Sequence, residues 1–277
     1  MNQNCYQLVD DHVLISNLSI PLVHHCVNAC AACSTFSPVC DPYCMSKDQI
    51  KKDVYNFKRI ARAKQIELVG GEPLLNPDFL EIVDIVRESK ISPRIIVVTN
   101  GQLLHKMPRE FWEKLDQVLV TRYPGKFTDK EFLDLCDKAS SFGKPLLHHA
   151  VAPSPGQQPP SVLTGDWLFS KGFTRHTNTR AEAIYVWRQC QVGGWCAPLI
   201  NGRFHYCLEF YYRKLVGVTP EDFSMDVETI TLEQLWRYVN PTEPAPACYR
   251  CTGLLNGSEP WREIRDRAEW YKQSEVS

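Results

Sequence analysis

No stretch of this 277-residue chain is apolar for long enough to cross a bilayer. Its opening, MNQNCYQLVDDHV, lacks the basic and apolar regions of a secretory signal, so a cytoplasmic protein with no membrane partner is expected. Charge of either sign is not in excess: the formal net charge is -1 and no run of five like charges occurs. That excludes a nucleic-acid arm or a polybasic anchor, and nucleic acid is not an expected partner. Internal repeats and low-complexity tracts are missing too. What is present is ordinary globular composition, 44% hydrophobic and 23% charged, enough for one large domain or a domain with an appendage.

Against that background the 12 cysteines stand out. Without an export signal a disulfide framework is disfavoured, and clustered thiols point to metal or chemistry. Three sit at positions 26, 30 and 33, two more at 40 and 44, and five between 190 and 251; Cys5 and Cys136 are isolated.

Over the first two thirds of the chain, short β-branched runs alternate with helical stretches, the pattern of repeated βα units and a parallel sheet. The expected strands are SNLSIPLV, QIELVG, RIIVVTN, QVLVTR and PLLHHAV, with helices over 47–63, 77–89, 108–115 and 128–141. Asn76 and Pro77 read as the cap and first turn of the second helix, whose Phe79, Ile82, Val83 and Val86 share one face. Barrels of this kind work at the C-terminal edge of their strands. The cysteine triad, Gly70-Gly71-Glu72-Pro73, Thr99-Asn100-Gly101 and Arg122-Tyr123-Pro124 follow four successive strands. Residues 152–161, APSPGQQPPS, read as a surface loop. From about Arg180 the alternation gives way to the second cysteine group, a hairpin through Gly202 and a helix from Leu232, so the expected division is 1–180 and 181–277.

The segment from His25 to Cys33 offers three thiols on one loop, close enough to wrap a single metal centre. On a four-iron cubane, three ligands leave one iron open to a small chelating molecule. Structural zinc is the alternative, with His24, His25 or Cys40 as fourth ligand. Asn100 reads either as a cofactor contact or as half of an Asn-Gly turn. Arg122 reads either as a grip on a cofactor or substrate oxygen or as the partner of a surface carboxylate. His148 and His149 alternate along the fifth strand, so only one can face inward. In the second group, two cysteines on a hairpin plus Cys248-x2-Cys251 suit a zinc ribbon as well as an iron-sulfur cluster. Cys196 is left over, as a buried thiol, an alternative ligand or a hydrogen-atom donor; Cys40 and Cys44 carry the same ambiguity.

Taken together, C-x3-C-x2-C after the first strand and GGEP after the next resemble the radical S-adenosylmethionine superfamily. The resemblance implies an α/β fold, a partial (β/α)6 TIM-like barrel. It also implies a [4Fe-4S] cluster on Cys26, Cys30 and Cys33, whose open iron chelates S-adenosylmethionine. Gly70, Gly71, Glu72 and Pro73 would then bind that cofactor: glycine permits close backbone approach, and a carboxylate accepts from an ammonium. The residue before the last cysteine is often aromatic in this family and packs on adenine; here it is Ala32, and Phe36 is the possible substitute.

Cys190, Gly202, Cys207, Cys248 and Cys251 resemble the auxiliary-cluster module called SPASM in its short form, twitch, because no cysteine follows Cys251. That implies a small C-terminal domain with a second [4Fe-4S] cluster on Cys190, Cys207, Cys248 and Cys251. The implied activity is reductive cleavage of S-adenosylmethionine to a 5'-deoxyadenosyl radical, which takes hydrogen from a small polar substrate, sugar-like or aminocyclitol-like, and oxidises it. An electron donor such as flavodoxin or ferredoxin is the implied protein partner. The alternatives are epimerisation with Cys196, Cys40 or Cys44 returning hydrogen, peptide modification, and a non-catalytic zinc-binding adaptor. The polar segment 173–180 is a further candidate for gripping a phosphate or sugar hydroxyls.

Overall fold

The computed structural model describes residues 5–31, 33–144, 146–150, 166–168, 177–190, 193, 196–217, 222–251 and 258–272. The expected loop at 152–161, Ala32 and residues 173–176 lie outside these described residues.

The chain opens with a hairpin, β1 (Tyr6–Val9) against β2 (His12–Val23), turning at Asp10 with φ 49°. Asp tolerates this left-handed conformation because its short side chain bonds locally. Helix α1 (Lys47–Phe57) starts at Ser46, whose hydroxyl accepts from Gln49 N at 3.2 Å, and it buries Ile50, Val54 and Phe57 on one stripe. It is shorter than expected. The chain turns after Phe57 and enters β3 (Ala61–Gly70), where Ala61 and Ala63 pair with Val13 and Ile15. The early part of β2, prolonged by the hairpin, provides a strand for 61–63 to pair with, and that pairing takes these residues out of the helix expected over 47–63.

The βα alternation then runs as expected: α2 (Phe79–Ser89), β4 (Ile95–Thr99), α3 (Arg109–Lys114), β5 (Gln117–Arg122), α4 (Asp129–Ser141) and β6 (Leu146–Ala150). Phe79, Ile82, Val83 and Val86 are buried against the sheet. Asn76 is not the cap of α2. Its amide donates to Leu22 O at 3.1 Å and Met45 O at 2.9 Å, while its side-chain oxygen accepts from Asp78 N at 2.9 Å, so it ties three segments together.

Further along come β7 (Asp166–Leu168), α5 (Arg180–Gln189), the hairpin β8 (Ala197–Ile200) and β9 (Arg203–His205), α6 (Leu208–Leu215), β10 (Ser224–Asp226), α7 (Leu232–Val239), β11 (Ser258–Pro260) and α8 (Arg267–Lys272). The β8–β9 turn uses Asn201 (φ 50°) and Gly202 (φ 75°), the primed geometry that an Asn-Gly pair favours. Strands β2 to β6 are mutually parallel, and β8 joins the free side of β2, also parallel, so the sheet order is β10-β9-β8-β2-β3-β4-β5-β6. This is the α/β architecture expected, a parallel, partial barrel. Its sheet runs on past the expected boundary near residue 180 into the C-terminal third. No helix among the described residues is long and apolar enough to cross a membrane.

Alternation along the strands decides what faces inward. Ile66 and Leu68 of β3 and Leu18 and Ile20 of β2 are fully buried on the helix-covered face. On the opposite face, Val13, Ile15, Ala61 and Ala63 fill the lower part, and Asn17, Ser19, Gln65 and Glu67 make the upper part polar. The amide of Gln65 donates to Asn17 Oδ1 and to Glu67 Oε1, both at 3.3 Å.

Candidate active site

The thiol loop leaves β2 at Val23 and lies directly against the end of β3. Gly71 N donates to Val23 O and Glu72 N to His25 O, both at 3.0 Å. A Cβ on Gly71 would stand 2.0 Å from His25 O, and one on Gly70, whose φ is 142°, 2.4 Å from Val23 O. The two glycines therefore let the β3 end dock on the backbone that leads into the cysteines. Pro73 begins a short 3-10 turn, Pro73–Leu75, and is buried.

Glu72 is fully buried, and its carboxylate has protein partners: Thr99 Oγ1 donates at 2.6 Å, Asn100 N at 2.8 Å and Leu74 N at 3.2 Å. The expected role of this carboxylate, accepting from a cofactor ammonium, is taken by these internal donors. Burial pushes its pKa up to about 7 despite them. Asn100 in turn reaches the thiols, its Nδ2 donating to Cys26 Sγ at 3.5 Å, and Gln102 Nε2 holds Asn28 Oδ1 at 2.7 Å. Glu72 thus locks the ends of β3 and β4 together, and Asn100 and Gln102 carry that lock onto the loop.

Each thiol of the triad has a polar neighbour. Cys26 Sγ also accepts from Asn28 N at 3.4 Å, and Cys33 Sγ meets Thr35 Oγ1 at 3.3 Å. Cys30 is the most enclosed, at 4% exposure; its sulfur accepts from Trp261 Nε1 at 3.2 Å and from the Tyr123 hydroxyl. Burial first, and then the neighbouring thiols, push the Cys26 thiol up to about 11 and Cys30 up to about 12. Three thiols that repel one another's charge and are already met by N–H and O–H donors fit a cationic cluster, which removes the cost of ionising them.

Two expectations are corrected here. Phe36 does not offer a face to adenine: it is 1% exposed, lies 5.1 Å from the Trp270 ring, stacks on Tyr212, and sits in a side cluster with Val39, Cys40 and Ile264. Arg122 does not face the mouth. Strand alternation puts it on the same side as the buried Val118 and Val120, and its guanidinium pairs with Asp129 and lies 5.0 Å from the Phe132 ring on α4. Of the alternative ligands, His24 Nε2 hydrogen-bonds Tyr211 Oη at 2.9 Å, Cys40 is buried behind Phe36, and Cys44 is exposed on a bridge to Val23. His148 and His149 pair with Val120 and Thr121; their side chains lie outside the described set.

The second group gathers at the ends of three elements. Cys190 closes α5 and accepts from Gly193 N at 3.0 Å; Cys207 opens α6; Cys248 and Cys251 flank the 3-10 turn Pro246–Arg250. Cys190 and Cys251 both raise the thiols of Cys207 and Cys248, after burial, so these four share one neighbourhood. The buried Arg213 guanidinium lies 3.7 Å from Cys251 Sγ, 2.8 Å from a Glu209 oxygen and 3.0 Å from Arg250 O. A cation enclosed beside the Cys251 thiol suits an anionic metal-thiolate centre. Cys196 is raised by burial and then by Glu67, Glu209, Cys190 and Cys5, which sets it toward the polar barrel interior. In the segment proposed to grip oxygens, Asn178 instead pins the C-x2-C turn, donating to Cys248 O at 3.0 Å and Cys251 O at 2.7 Å, while exposed Arg180 pairs with Glu243.

Sequence reading gave Asn178 a different role and missed Trp261, Arg213 and the inward Asn17–Gln65–Glu67 set. The last was legible as polar residues at alternate positions of two adjacent strands. Trp261 has no local signal.

Residues 20–145 match the sequence profile of the Radical SAM superfamily, and this segment is a radical SAM domain. That family uses S-adenosylmethionine and a [4Fe-4S] cluster. The crystal structure of BtrN in complex with AdoMet and 2-DOIA superposes with a TM-score of 0.56 at 16% identity, over 88% of this chain and 96% of BtrN. Streptococcus suis SuiB bound to S-adenosylmethionine gives 0.40 at 17% identity, over 48% of this chain and 33% of SuiB. A probable GTP 3',8-cyclase of Pyrococcus abyssi is 28% identical over 108 residues, 39% of this chain and about a third (34%) of that protein.

Proposed function

We propose that this protein is a radical S-adenosylmethionine oxidoreductase that removes two hydrogens from a small polyhydroxylated substrate, aminocyclitol-like or sugar-like. Cys26, Cys30 and Cys33 would hold the cluster that binds S-adenosylmethionine, and Cys190, Cys207, Cys248 and Cys251 a second [4Fe-4S] cluster. When bound, these groups supply a hydrogen-atom acceptor and an electron acceptor, so that a carbinol loses a hydrogen atom, a proton and an electron and becomes a carbonyl.

The chain's own part is the proton, and Glu67 is the observation that carries the reading. It lies three residues below Gly70 on the inward face of β3, roughly 10 Å beneath the thiol loop at strand rise. Burial raises its pKa, and the side chains that hydrogen-bond it, Asn17 and Gln65, are neutral, so it is a stronger base than an exposed carboxylate. The same amides suit ring hydroxyls. BtrN, which shares the fold, was crystallised with AdoMet and 2-DOIA, and that supports a small ligand in the barrel. An electron donor of the flavodoxin or ferredoxin kind would reduce the first cluster.

A second reading rests on Cys196. Its protonated thiol near Glu67 suits return of a hydrogen atom to the opposite face, which is epimerisation. Anaerobic incubation with S-adenosylmethionine, dithionite and a panel of aminocyclitols and polyols separates the two. Formation of 5'-deoxyadenosine with a product lighter by two hydrogens supports oxidation. A product of unchanged mass in H2O that gains one deuterium in D2O supports Cys196. Absence of 5'-deoxyadenosine from an iron-loaded preparation sinks both.

A further inference from the structure

Residues 261–264 lie as a strap across the first cysteine loop. Ala31 N donates to Arg262 O and Ile264 N to Ala29 O, both at 2.9 Å, and Cys30 and Glu263 form an antiparallel bridge between them. Side chains fasten the same place: Ala29 N donates to Glu263 Oε1 at 3.3 Å, Lys126 pairs with Glu263 at 2.9 Å, and Lys126 Nζ lies 5.7 Å from the Trp261 ring. Trp261 packs on Tyr123 with ring centroids 5.2 Å apart, and together with Cys30 and Cys33 they form a small apolar cluster of their own.

We propose that Trp261 and Tyr123 are positioning residues that set the reduction potential of the cluster on Cys26, Cys30 and Cys33 by hydrogen-bonding one ligand, Cys30. The proposal rests on the reading of that triad as cluster ligands. A hydrogen bond to a thiolate sulfur draws negative charge off the ligand, and the gain is larger in the reduced state because that state carries one more electron. Both donors here act in a nearly dry environment, where a charge-assisted hydrogen bond is strong. The two remaining thiols accept from the main-chain Asn28 N–H and the Asn100 amide at longer range, or face a hydroxyl, so Cys30 is distinguished by two aromatic donors. The donors come from the end of β5 and from the strap, so the potential depends on the strap being seated.

The test is an EPR-monitored redox titration of reconstituted protein, with the second group's cysteines intact, for Trp261→Phe, Tyr123→Phe and the double variant. Iron, sulfide and the visible charge-transfer band are measured first. An unchanged cluster content with a midpoint displaced to more negative potential, by about tenfold in the reduction equilibrium or ~59 mV for a one-electron couple, is expected for each single variant and more for the double. In deuterium exchange, the reduced cluster of each variant should lose one exchangeable proton coupling. Tyr123→Phe removes a single oxygen and keeps the question open to experiment if Trp261→Phe unseats the strap. Intact clusters with unshifted potentials overturn the tuning role. A wild-type protein that assembles no cluster on the triad overturns the ligand reading instead.

Discussion

The backbone N–H of Asn100, at the end of β4, donates at 2.8 Å to the carboxylate of Glu72, at the end of β3, while the Asn100 side chain donates to Cys26. One buried carboxylate therefore holds in place the residue that holds a thiol. Its pKa of about 7 has a consequence for the apo-protein. The folded value lies above the ordinary glutamate value of 4.5, so the native state binds the proton more tightly than the unfolded chain. The associated stability is fully present below about pH 4.5 and is lost as pH rises toward 7. We expect apo-protein stability to fall over that window, by an amount on the order of 3 kcal/mol, and Glu72→Gln to flatten this dependence. Denaturant melts at a series of pH values check it; a stability that rises between those limits and keeps its slope in the variant would contradict the assignment.

Gly71 is expected to tolerate nothing larger. The added Cβ of Gly71→Ala would meet the His25 carbonyl oxygen at 2.0 Å, and that oxygen is main chain already bonded to Glu72 N. The loop must move away, at a cost of about 3 kcal/mol in overpacking, and the cluster on Cys26, Cys30 and Cys33 should fail to assemble while the one proposed on the second cysteine group persists. Iron analysis near four rather than about eight per chain, together with a lowered melting temperature, is the expected result. Full iron loading in this variant would mean the docking is dispensable.

How far the sequence foretold this site depends on the reach of each interaction. The parallel alternation, the thiol loop and GGEP were legible because each sits within a few residues of its own signal, a strand end or a fixed spacing. The early start of β3 was not, since the pairing of Ala61 with Val13 depends on a β1–β2 hairpin that polar turn residues only hint at. Phe36 was misjudged because an aromatic near the triad is equally suited to packing, and its partners Tyr212 and Trp270 come from distant helices. The Trp261 contact to Cys30 joins residues 231 apart, beyond any local pattern.

Arg122 carries the opposite expectation. Its ion pair with Asp129 joins a partner that is 88% exposed, and such pairs contribute about 0–1 kcal/mol. Arg122→Ala should leave S-adenosylmethionine cleavage and product formation within about twofold of the parent, and a steady-state assay under saturating reductant measures this. A hundredfold loss would return Arg122 to the active site.

The buried guanidinium of Arg213 should be needed by the metal centre proposed on Cys190, Cys207, Cys248 and Cys251. With its charge removed in Arg213→Met, Glu209 and the surrounding thiols lose their enclosed cation, and breaking such a pair costs about 3–5 kcal/mol. The expected phenotype is selective: iron falls to about four per chain, the first cluster still binds S-adenosylmethionine, and uncoupled formation of 5'-deoxyadenosine outlasts substrate oxidation. Zinc in place of iron at Cys190, Cys207, Cys248 and Cys251 of the parent protein would refute the iron assignment for this group.

Glu67 gives the most direct test of the proposed chemistry, because its substitution separates binding from proton removal. Glu67→Gln keeps size and hydrogen-bonding capacity beside Asn17 and Gln65 but cannot accept a proton. Positioned general bases contribute about 10²–10⁴-fold, so kcat for substrate oxidation should drop by at least about a hundredfold. S-adenosylmethionine binding, measured by the change in the cluster's EPR signal, should stay as in the parent. Glu67 carries a raised pKa, so the parent's rate should climb with pH as the carboxylate ionises, along a limb displaced above the ordinary glutamate range. The variant should lack that limb. An unaltered kcat with the same acidic limb would mean that another group takes the proton, and Glu67 would then be a binding residue only.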